Sequence, residues 1–342
     1  MIGAAGYTAT LWAGSYASRG GCGLYPLLRA GSGLWQVGAP FEGAQNASFG
    51  VRSSRHGHQY LVDEQGGAIG VYRHDRGWKQ IARFATGGTE PCYVALDPGE
   101  TRLAVANYGS GTAALFALDP ATGLPIGAPD LRINIGSGPN ADRQEGPHAH
   151  CVVFGPARDW LHHVDLGTDQ ITATSLAAGG GEARCAFAAP PGSGPRHLVF
   201  HPSGAFAFLV SELASTLTLF DVDGPLLRPR QCLSTLPGSY AGESLGGHIG
   251  LNAAGDRVYV TNRGHDSVAS FAFDGAQLSL RQHLPSGGRS PRFFLLCEAE
   301  RWMFVAHEES GTVTGFRLRS DGTLEPTDLA LAVPGAVTLF TA

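Results

Sequence analysis

The chain has 342 residues, of which 43% are hydrophobic and 15% charged, the balance of a globular protein with a large buried core. A formal net charge of −5 argues against nucleic acid or an anionic membrane as the main partner. The six cysteines form no C-x-x-C pair, which favours free thiols in a reducing cytosol. The N-terminal residues lack the regions of a signal peptide, and no apolar run is long enough to span a membrane. We therefore expect a cytoplasmic protein, and we expect it to be a monomer or a weak dimer.

The first predicted elements are three short strands, in segments 10–17, 23–29 and 34–40. Six repeated segments follow, each with an apolar strand, a turn, a second apolar strand and a polar end; they are residues 46–64, 90–108, 148–167, 195–212, 247–263 and 291–308. A third strand of alternating residues follows each segment, at 67–75, 111–119, 170–177, 215–223, 266–274 and 311–319. One more strand is predicted at 335–342.

The repeat length indicates the fold. Val210, Val260 and Val305 are assigned equivalent places in three repeats, at spacings of 50 and 45 residues. Four-stranded units of about 40–50 residues are typical of β-propeller blades, and no segment has the periodicity of helical repeats. The strand at 335–342 completes a seventh blade with the three N-terminal strands, which removes open sheet edges. The sequence therefore predicts an all-β, seven-bladed propeller in which residues 1–342 form a single domain.

Polar residues collect at the start of the first strand and the end of the second strand of the repeats. In a propeller these places lie at the same mouth of the central channel. Bringing two arginines, an acid and an imidazole together is costly unless a ligand uses them, so we predict His150, Arg196, Glu212 and Arg263 as catalytic. The predicted substrate-binding residues are His148, Arg143, Gln144, His248, Arg292 and Asn107.

Other interpretations apply to some of these residues. A structural role is the first interpretation for five polar residues at strand ends or inside strands, namely Asn107, His162, His163, His197 and His307. His148 and His150 are two residues apart, so they share one face of a strand and could begin a metal site. Because neighbouring arginines would repel a dication, we expect no metal and no cofactor.

Several strings resemble the seven-bladed lactonase family of bacterial 6-phosphogluconolactonases. They include QEGPHAH, GSGPRHLVFHPSG, VSELASTLTLFD and TNRGHDSVASFAFD, and the resemblance covers nearly the whole chain. The family also contains fungal carboxy-muconate cyclases, in which a His, two Arg and a Glu are implicated in catalysis without a metal. The resemblance assigns those roles to His150, Arg196, Glu212 and Arg263. One difference is His248, which stands where many members have an acidic residue.

Lactone hydrolysis needs a base to activate water, donors for the oxyanion and anchors for the substrate. His150 is the natural base because an imidazole titrates near neutral pH, while Glu212 either orients it or acts as the base itself. Arg196 and Arg263 can hold a carboxylate, a phosphate or the developing oxyanion. Neither a serine-hydrolase elbow nor a dinucleotide-binding glycine motif is present.

These features predict an enzyme that hydrolyses a small anionic lactone. The leading substrate is 6-phosphogluconolactone, which would place the protein in carbohydrate metabolism and the pentose phosphate pathway. One alternative is a lactonase or cycloisomerase for another acidic lactone, from sugar-acid or aromatic catabolism. Another is a non-catalytic propeller that serves as a binding scaffold, which predicts an apolar or flat rim instead of a cluster of titratable groups.

Overall fold

Seven four-stranded antiparallel sheets surround a central channel in the computed structural model, which describes residues 7–31, 33–177, 181 and 183–342. Blade 1 consists of β1 (Tyr7–Ser15), β2 (Tyr25–Ala30) and β3 (Trp35–Val37), and the C-terminal strand β28 (Ala336–Phe340) is its innermost strand. The predicted ring closure is therefore confirmed. No helix in these residues is long and apolar enough to cross a membrane; the helices described are two short 3-10 turns, Ala17–Arg19 and Glu298–Glu300.

The other six blades follow in chain order, each with its innermost strand first. Blade 2 is formed by β4 (Gly50–Arg52), β5 (His58–Asp63), β6 (Ala68–His74) and β7 (Trp78–Ala85); blade 3 by β8 (Pro91–Leu96), β9 (Arg102–Asn107), β10 (Thr112–Leu118) and β11 (Pro125–Ile133); and blade 4 by β12 (Ala149–Phe154), β13 (Trp160–Asp165), β14 (Gln170–Ser175) and β15 (Arg184–Ala188). Blade 5 is formed by β16 (Pro195–Phe200), β17 (Phe206–Ser211), β18 (Thr216–Asp223) and β19 (Leu226–Ser234); blade 6 by β20 (Leu245–Leu251), β21 (Arg257–Arg263), β22 (Ser267–Phe273) and β23 (Leu278–Pro285); and blade 7 by β24 (Pro291–Cys297), β25 (Trp302–His307), β26 (Thr312–Leu318) and β27 (Leu324–Ala332).

The core lies between the faces of neighbouring blades. Phe208 and Leu219 of blade 5, for example, belong to the same buried cluster as Val258 and Phe271 of blade 6. Completely burying one such side chain stabilises the fold by about 1.5–3 kcal/mol. The alternating residues of the first three strands supply these faces, which is why the sequence pattern predicted them.

The inner strands carry a β-bulge near their start in blades 3 to 7. At each bulge the pairing with the second strand skips a residue, and a bulge turns the skipped side chain away from the regular alternation. The skipped residues are Cys92, His150, Arg196 and Arg292, and in blade 6 Gly247 together with His248. We call Cys92, His150, Arg196, Gly247 and Arg292 the bulge residues.

An aromatic layer fills the channel one residue beyond the bulge residues. Phe49 stacks on Tyr93 with ring centroids 4.0 Å apart, and His248 stacks on Phe293 at 4.2 Å. His197 completes the layer through edge contacts with three of these rings. The channel is therefore occupied by side chains below the bulge residues.

Candidate active site

A cavity of about 460 Å³ lies at the channel mouth where the second strands end. We call it the central cavity. Two positions in the blades supply most of its walls. One is the bulge position, and the other is the end of the second strand, which is either the last residue of that strand or the residue after it. In blade 5, for example, Ser211 pairs with Pro195, and Glu212 is the next residue. Residues at this second position that line the cavity are Tyr16, Glu64, Tyr108, Glu212, Arg263 and Glu308.

Glu212 is the most heavily bonded residue of the site. Its Oε2 accepts hydrogen bonds from Arg196 Nε at 2.8 Å and contacts Arg263 Nη2 at 2.8 Å, while Oε1 accepts one from Arg143 Nη2 at 2.6 Å. Burial alone would raise the pKa of Glu212, but the charges of Arg263 and Arg196 outweigh it and hold the pKa well below its usual value. Glu212 is therefore an ionised carboxylate fixed by three guanidinium groups.

His150 lies beside this carboxylate and is 5% exposed. Its Nε2 is 3.6 Å from Glu212 Oε2, and its Nδ1 is 3.8 Å from the Sγ of Cys92. Burial and the charge of Arg196 hold the pKa of His150 well below 6.5. The imidazole is therefore neutral at neutral pH. Burial also raises the pKa of the Cys92 thiol, so Cys92 is protonated and is not a thiolate nucleophile.

Arg292 of blade 7 also lines the central cavity. Its nearest carboxylates are Glu308, 3.5 Å from Nη1, and Glu64, 3.8 Å from Nη2, and it makes no hydrogen bond within the described residues. Its guanidinium lies over the ring of Tyr16, and Tyr16 in turn donates a 2.6 Å hydrogen bond to Glu64. Arg292 therefore has N–H donors that remain free for a ligand.

Only some of the N–H donors of Arg263 bond to other atoms of the protein. Its Nη2 donates to Gly246 O at 3.1 Å and contacts Glu212, but its buried Nε has no hydrogen-bond partner. Its Nη1 is 3.9 Å from Glu308, beyond hydrogen-bonding distance. Together with Arg292, it supplies unsatisfied cationic donors to the cavity.

The structure brings together five of the ten site residues predicted from the sequence. Those that line the central cavity are His150, Glu212, Arg263, Arg143 and Arg292. Arg196 is 1% exposed and lies behind Glu212, where its Nη1 donates to Gly247 O at 2.7 Å. Burial lowers the pKa of Arg196 to about 10, so it remains charged at neutral pH. Arg196 therefore influences the cavity only indirectly, by holding the Glu212 carboxylate in place.

The structure places the other four predicted residues outside the cavity wall. His148 stacks on Tyr108 and bonds to Glu145, and Gln144 is fully buried, where its Nε2 donates to Leu166 O at 2.8 Å. Asn107 is also fully buried, and its Nδ2 donates to Thr112 at 3.0 Å. His248 belongs to the aromatic layer, with its Nδ1 3.1 Å from that of His197. These contacts give each of the four a role within the protein.

Nine lining residues were not predicted as site residues, and blade 5 was assigned a register that differs by one residue. The pairing makes Glu212 equivalent to Arg263 and Glu308, and not to Asn262 and His307. The equivalence assumed for Val210, Val260 and Val305 is therefore wrong by one position in blade 5. Tyr16, Glu64, Tyr108 and Glu308 occupy the position of Glu212 in other blades. The sequence placed Glu64 and Glu308 at the mouth without a role, whereas Asn107 was chosen in place of its neighbour Tyr108, and Tyr16 was not predicted there. The bulges that align the repeats are visible only in the structure.

The histidines and carboxylates of the site are also possible metal ligands. Within the described ranges, no three His, Cys, Asp or Glu side chains are grouped in a way that could hold a metal ion. The carboxylate of Glu212 is instead occupied by arginines. Whether the reaction uses a metal stays a prediction.

Comparisons with known proteins agree with this architecture. A family model described as "Lactonase, 7-bladed beta-propeller" matches residues 10–340. A 6-phosphogluconolactonase from Bacillus subtilis is 30% identical over 286 residues, which cover 81% of each chain. A solved structure of a periplasmic gluconolactonase from Pseudomonas aeruginosa has a TM-score of 0.88 at 26% identity and covers 98% of this chain and 99% of its own. A protein from Lactobacillus plantarum superposes with the same TM-score of 0.88 at 25% identity, again covering 98% of this chain and 99% of its own. The chain therefore belongs to the family of seven-bladed β-propeller lactonases.

Proposed function

We propose that the protein hydrolyses a sugar lactone to its open-chain acid, with 6-phosphogluconolactone as the leading substrate. One observation carries the proposal: a neutral imidazole, a fixed carboxylate and guanidinium groups with free donors meet in a single cavity. These are the groups that water activation and oxyanion stabilisation require. The family membership supports the reaction class.

His150 is the proposed general base. Because its pKa is held well below 6.5, the ring is unprotonated at neutral pH and can accept a proton from the attacking water. Glu212 is a poor base, because the charges of its arginine partners hold its pKa well below the usual value and so disfavour its protonated form. Its negative charge, 3.6 Å from His150, instead stabilises the imidazolium that forms when the ring takes the proton. The two groups therefore have different roles.

Arg292 and Arg263 are the proposed donors to the substrate. Attack of water on the lactone carbonyl places negative charge on the carbonyl oxygen, and a guanidinium that makes no other hydrogen bond can receive it. Arg292 meets this condition best, and the Nη1 of Arg263, which makes no hydrogen bond within the described residues, is the next. Arg143, whose side chain is 33% exposed, is available to the anionic group of the substrate.

Arg196 is a positioning residue in this scheme. It contacts no open part of the cavity, but it links Glu212 to the Gly247 carbonyl. Its charge also contributes to the low pKa of His150.

The scheme needs no metal, because the guanidinium groups supply the positive charge. A protein treated with a chelator should keep its activity, and loss of activity that a divalent ion restores would contradict this part of the proposal.

The identity of the substrate is best tested with a panel of lactones. Purified protein is mixed with 6-phosphogluconolactone, gluconolactone and acidic lactones that are not sugars, and acid release is followed with a pH indicator against the spontaneous rate. We expect hydrolysis of the sugar lactones above that rate, and we expect His150→Ala to remove most of it. If only the non-sugar lactones react, the substrate class is wrong. If none reacts, the lactonase proposal fails and a binding scaffold becomes the better explanation.

The cellular location is also a proposal. The separated cysteines, two of them fully or nearly fully buried free thiols, are compatible with the cytosol. The P. aeruginosa structure is titled a periplasmic protein, so relatives differ in this respect. Fractionation of cells that express the full-length protein would decide between the two compartments.

A further inference from the structure

A second cavity of about 670 Å³ lies next to the central cavity and is larger. Its walls come from loops and turns of blades 5, 6 and 7 at the same mouth, and they include Ala214, Leu236 and Leu245. Both cavities fall within the range of about 300–1,000 Å³ that is usual for small-molecule sites. We call it the outer cavity.

Arg263 and Glu308 line both cavities. Their closest N–O distance is 3.9 Å, so no hydrogen bond joins these two side chains into a fixed barrier. The Arg263 side chain is only 10% exposed, and its Nη1, the nitrogen nearest Glu308, makes no hydrogen bond within the described residues. A ligand that reaches from His150 into the outer cavity would pass an unsatisfied donor at the boundary.

The two cavities differ in charge. The central cavity is lined by as many arginines as carboxylates, and the buried Arg196 lies directly behind it. The outer cavity has one arginine, Arg263, against four acidic residues: Glu243, Asp266, Glu308 and Glu309. A phosphate or carboxylate is therefore favoured in the central cavity and repelled from the outer one.

The outer cavity is also rich in hydrogen-bond acceptors. The exposed carboxylates of Glu243 and Glu309 accept no hydrogen bond within the described residues, and an ionised carboxylate can only accept. Leu213, Leu236 and Leu245 add apolar surface beside them. A group with several hydroxyl donors, apolar C–H faces and no negative charge fits this combination.

From this chemistry we infer that the outer cavity is a substrate subsite for a neutral, hydroxyl-rich substituent on the lactone, such as a second sugar ring. The inference rests on the proposed lactonase function and extends its substrate class to lactones of glycosylated aldonic acids. The lactone ring and any anionic group lie in the central cavity. The attached sugar passes Arg263 and occupies the outer cavity.

The test compares gluconolactone with the lactones of maltobionic and cellobionic acids. The wild-type protein should hydrolyse at least one disaccharide lactone with a kcat/KM about tenfold or more above that of gluconolactone, the size of a modest subsite contribution. Ala214→Trp, at an exposed turn position, should fill the outer cavity and lower this ratio about tenfold. Ala121→Trp is the matched control, because Ala121 is exposed in a turn at the opposite face.

A second variant guards against an effect of bulk on folding. Glu243→Ala combined with Glu309→Ala changes two exposed residues, leaves the cavity open and removes its two unbonded carboxylates, so it should also lower the disaccharide preference. Equal kcat/KM for the short and long lactones, or a preference that neither variant alters, would overturn the inference while hydrolysis of gluconolactone leaves the lactonase function standing. Failure of every lactone would instead overturn the lactonase function.

Discussion

Two neighbouring side chains in the central cavity acquire different chemistry from their surroundings. Glu212 and His150 are both nearly inaccessible to solvent, yet one is held charged and the other neutral. The difference arises because three guanidinium groups contact Glu212, whereas His150 has a single carboxylate neighbour, at 3.6 Å, and lies near the charge of Arg196. The residue types alone did not decide whether His150 or Glu212 is the general base. The contacts of the two side chains in the structure favour His150.

Replacing His150 with Ala should reduce kcat by about 10²–10⁴, the usual cost of losing a general base. His148→Ala is the comparison two residues earlier. It should have a smaller effect, because that ring stacks on Tyr108 and does not line the cavity. Steady-state kinetics on the best lactone measure both variants. An inactive His148→Ala protein beside an active His150→Ala protein would reverse the assignment.

At the scale of strands, the bulge determines which residues meet. Apolar alternation and turn residues were sufficient to predict the first three strands of each blade. The outermost strands were not assigned in six blades because they carry little apolar signal; β7, for instance, is exposed at most of its positions. The bulges left no recognisable mark in the sequence. A shift of one residue exchanges buried with cavity-facing positions, which is why the buried Asn107 was predicted in place of its neighbour Tyr108.

Gly247 is the bulge residue whose replacement should be most disruptive. A Cβ at this position would lie 2.3 Å from Thr261 Oγ1 and 2.9 Å from Pro291 O, so the backbone would have to move. The Gly247 carbonyl accepts the hydrogen bond of Arg196, so Gly247→Ala should displace Arg196 and Glu212 and lower kcat by about 10²-fold. Gly31→Ala, where a Cβ meets no atom within 4 Å, is the control. Unchanged kinetics in Gly247→Ala would contradict this coupling.

At the scale of the whole molecule, ring closure and the active site share one blade. All five residues of β28 are buried, and this strand pairs with β1. The backbone N–H of Tyr16, which lines the central cavity, donates to Gly335 O at 2.9 Å just before β28. The seam between the two chain ends is therefore also a wall of the cavity.

Deletion of residues 336–342 should lower the melting temperature strongly or prevent folding, since it removes five buried residues and exposes the edge of β1. The protein without residues 341–342 is the control, because these two residues are exposed and lie outside the strand. Thermal unfolding followed by circular dichroism compares the two. Equal melting temperatures would show that the C-terminal strand does not stabilise the ring.

The protein should lose stability in mild acid. Burial lowers the pKa of His162 and His307 to about 4 and that of His248 to about 3, and His150 and His197 are also lowered well below 6.5. Below pH 6.5 the unfolded chain therefore binds protons that the folded protein does not. As the pH falls below 6.5, each such histidine should lower the free energy of unfolding by about 1.4 kcal/mol per pH unit, until the pH reaches the pKa of that histidine in the folded protein.

Urea unfolding at a series of pH values from about 7.5 to 5 measures this dependence. His307→Gln removes one of these histidines and should give a shallower slope by about one proton. Stability that stays constant over this range would mean that these histidines become protonated without unfolding.

The bulges have a consequence for how relatives of this protein can diverge. A bulge residue is already outside the strand pairing, so exchanging its side chain breaks no ladder hydrogen bond. In this chain the same position carries a thiol, an imidazole, two guanidinium groups and a bare backbone in five successive blades. Apart from Gly247, where a Cβ would force the backbone to move, substrate preference can therefore change one blade at a time, by single substitutions at the mouth that leave the packing between the blades intact.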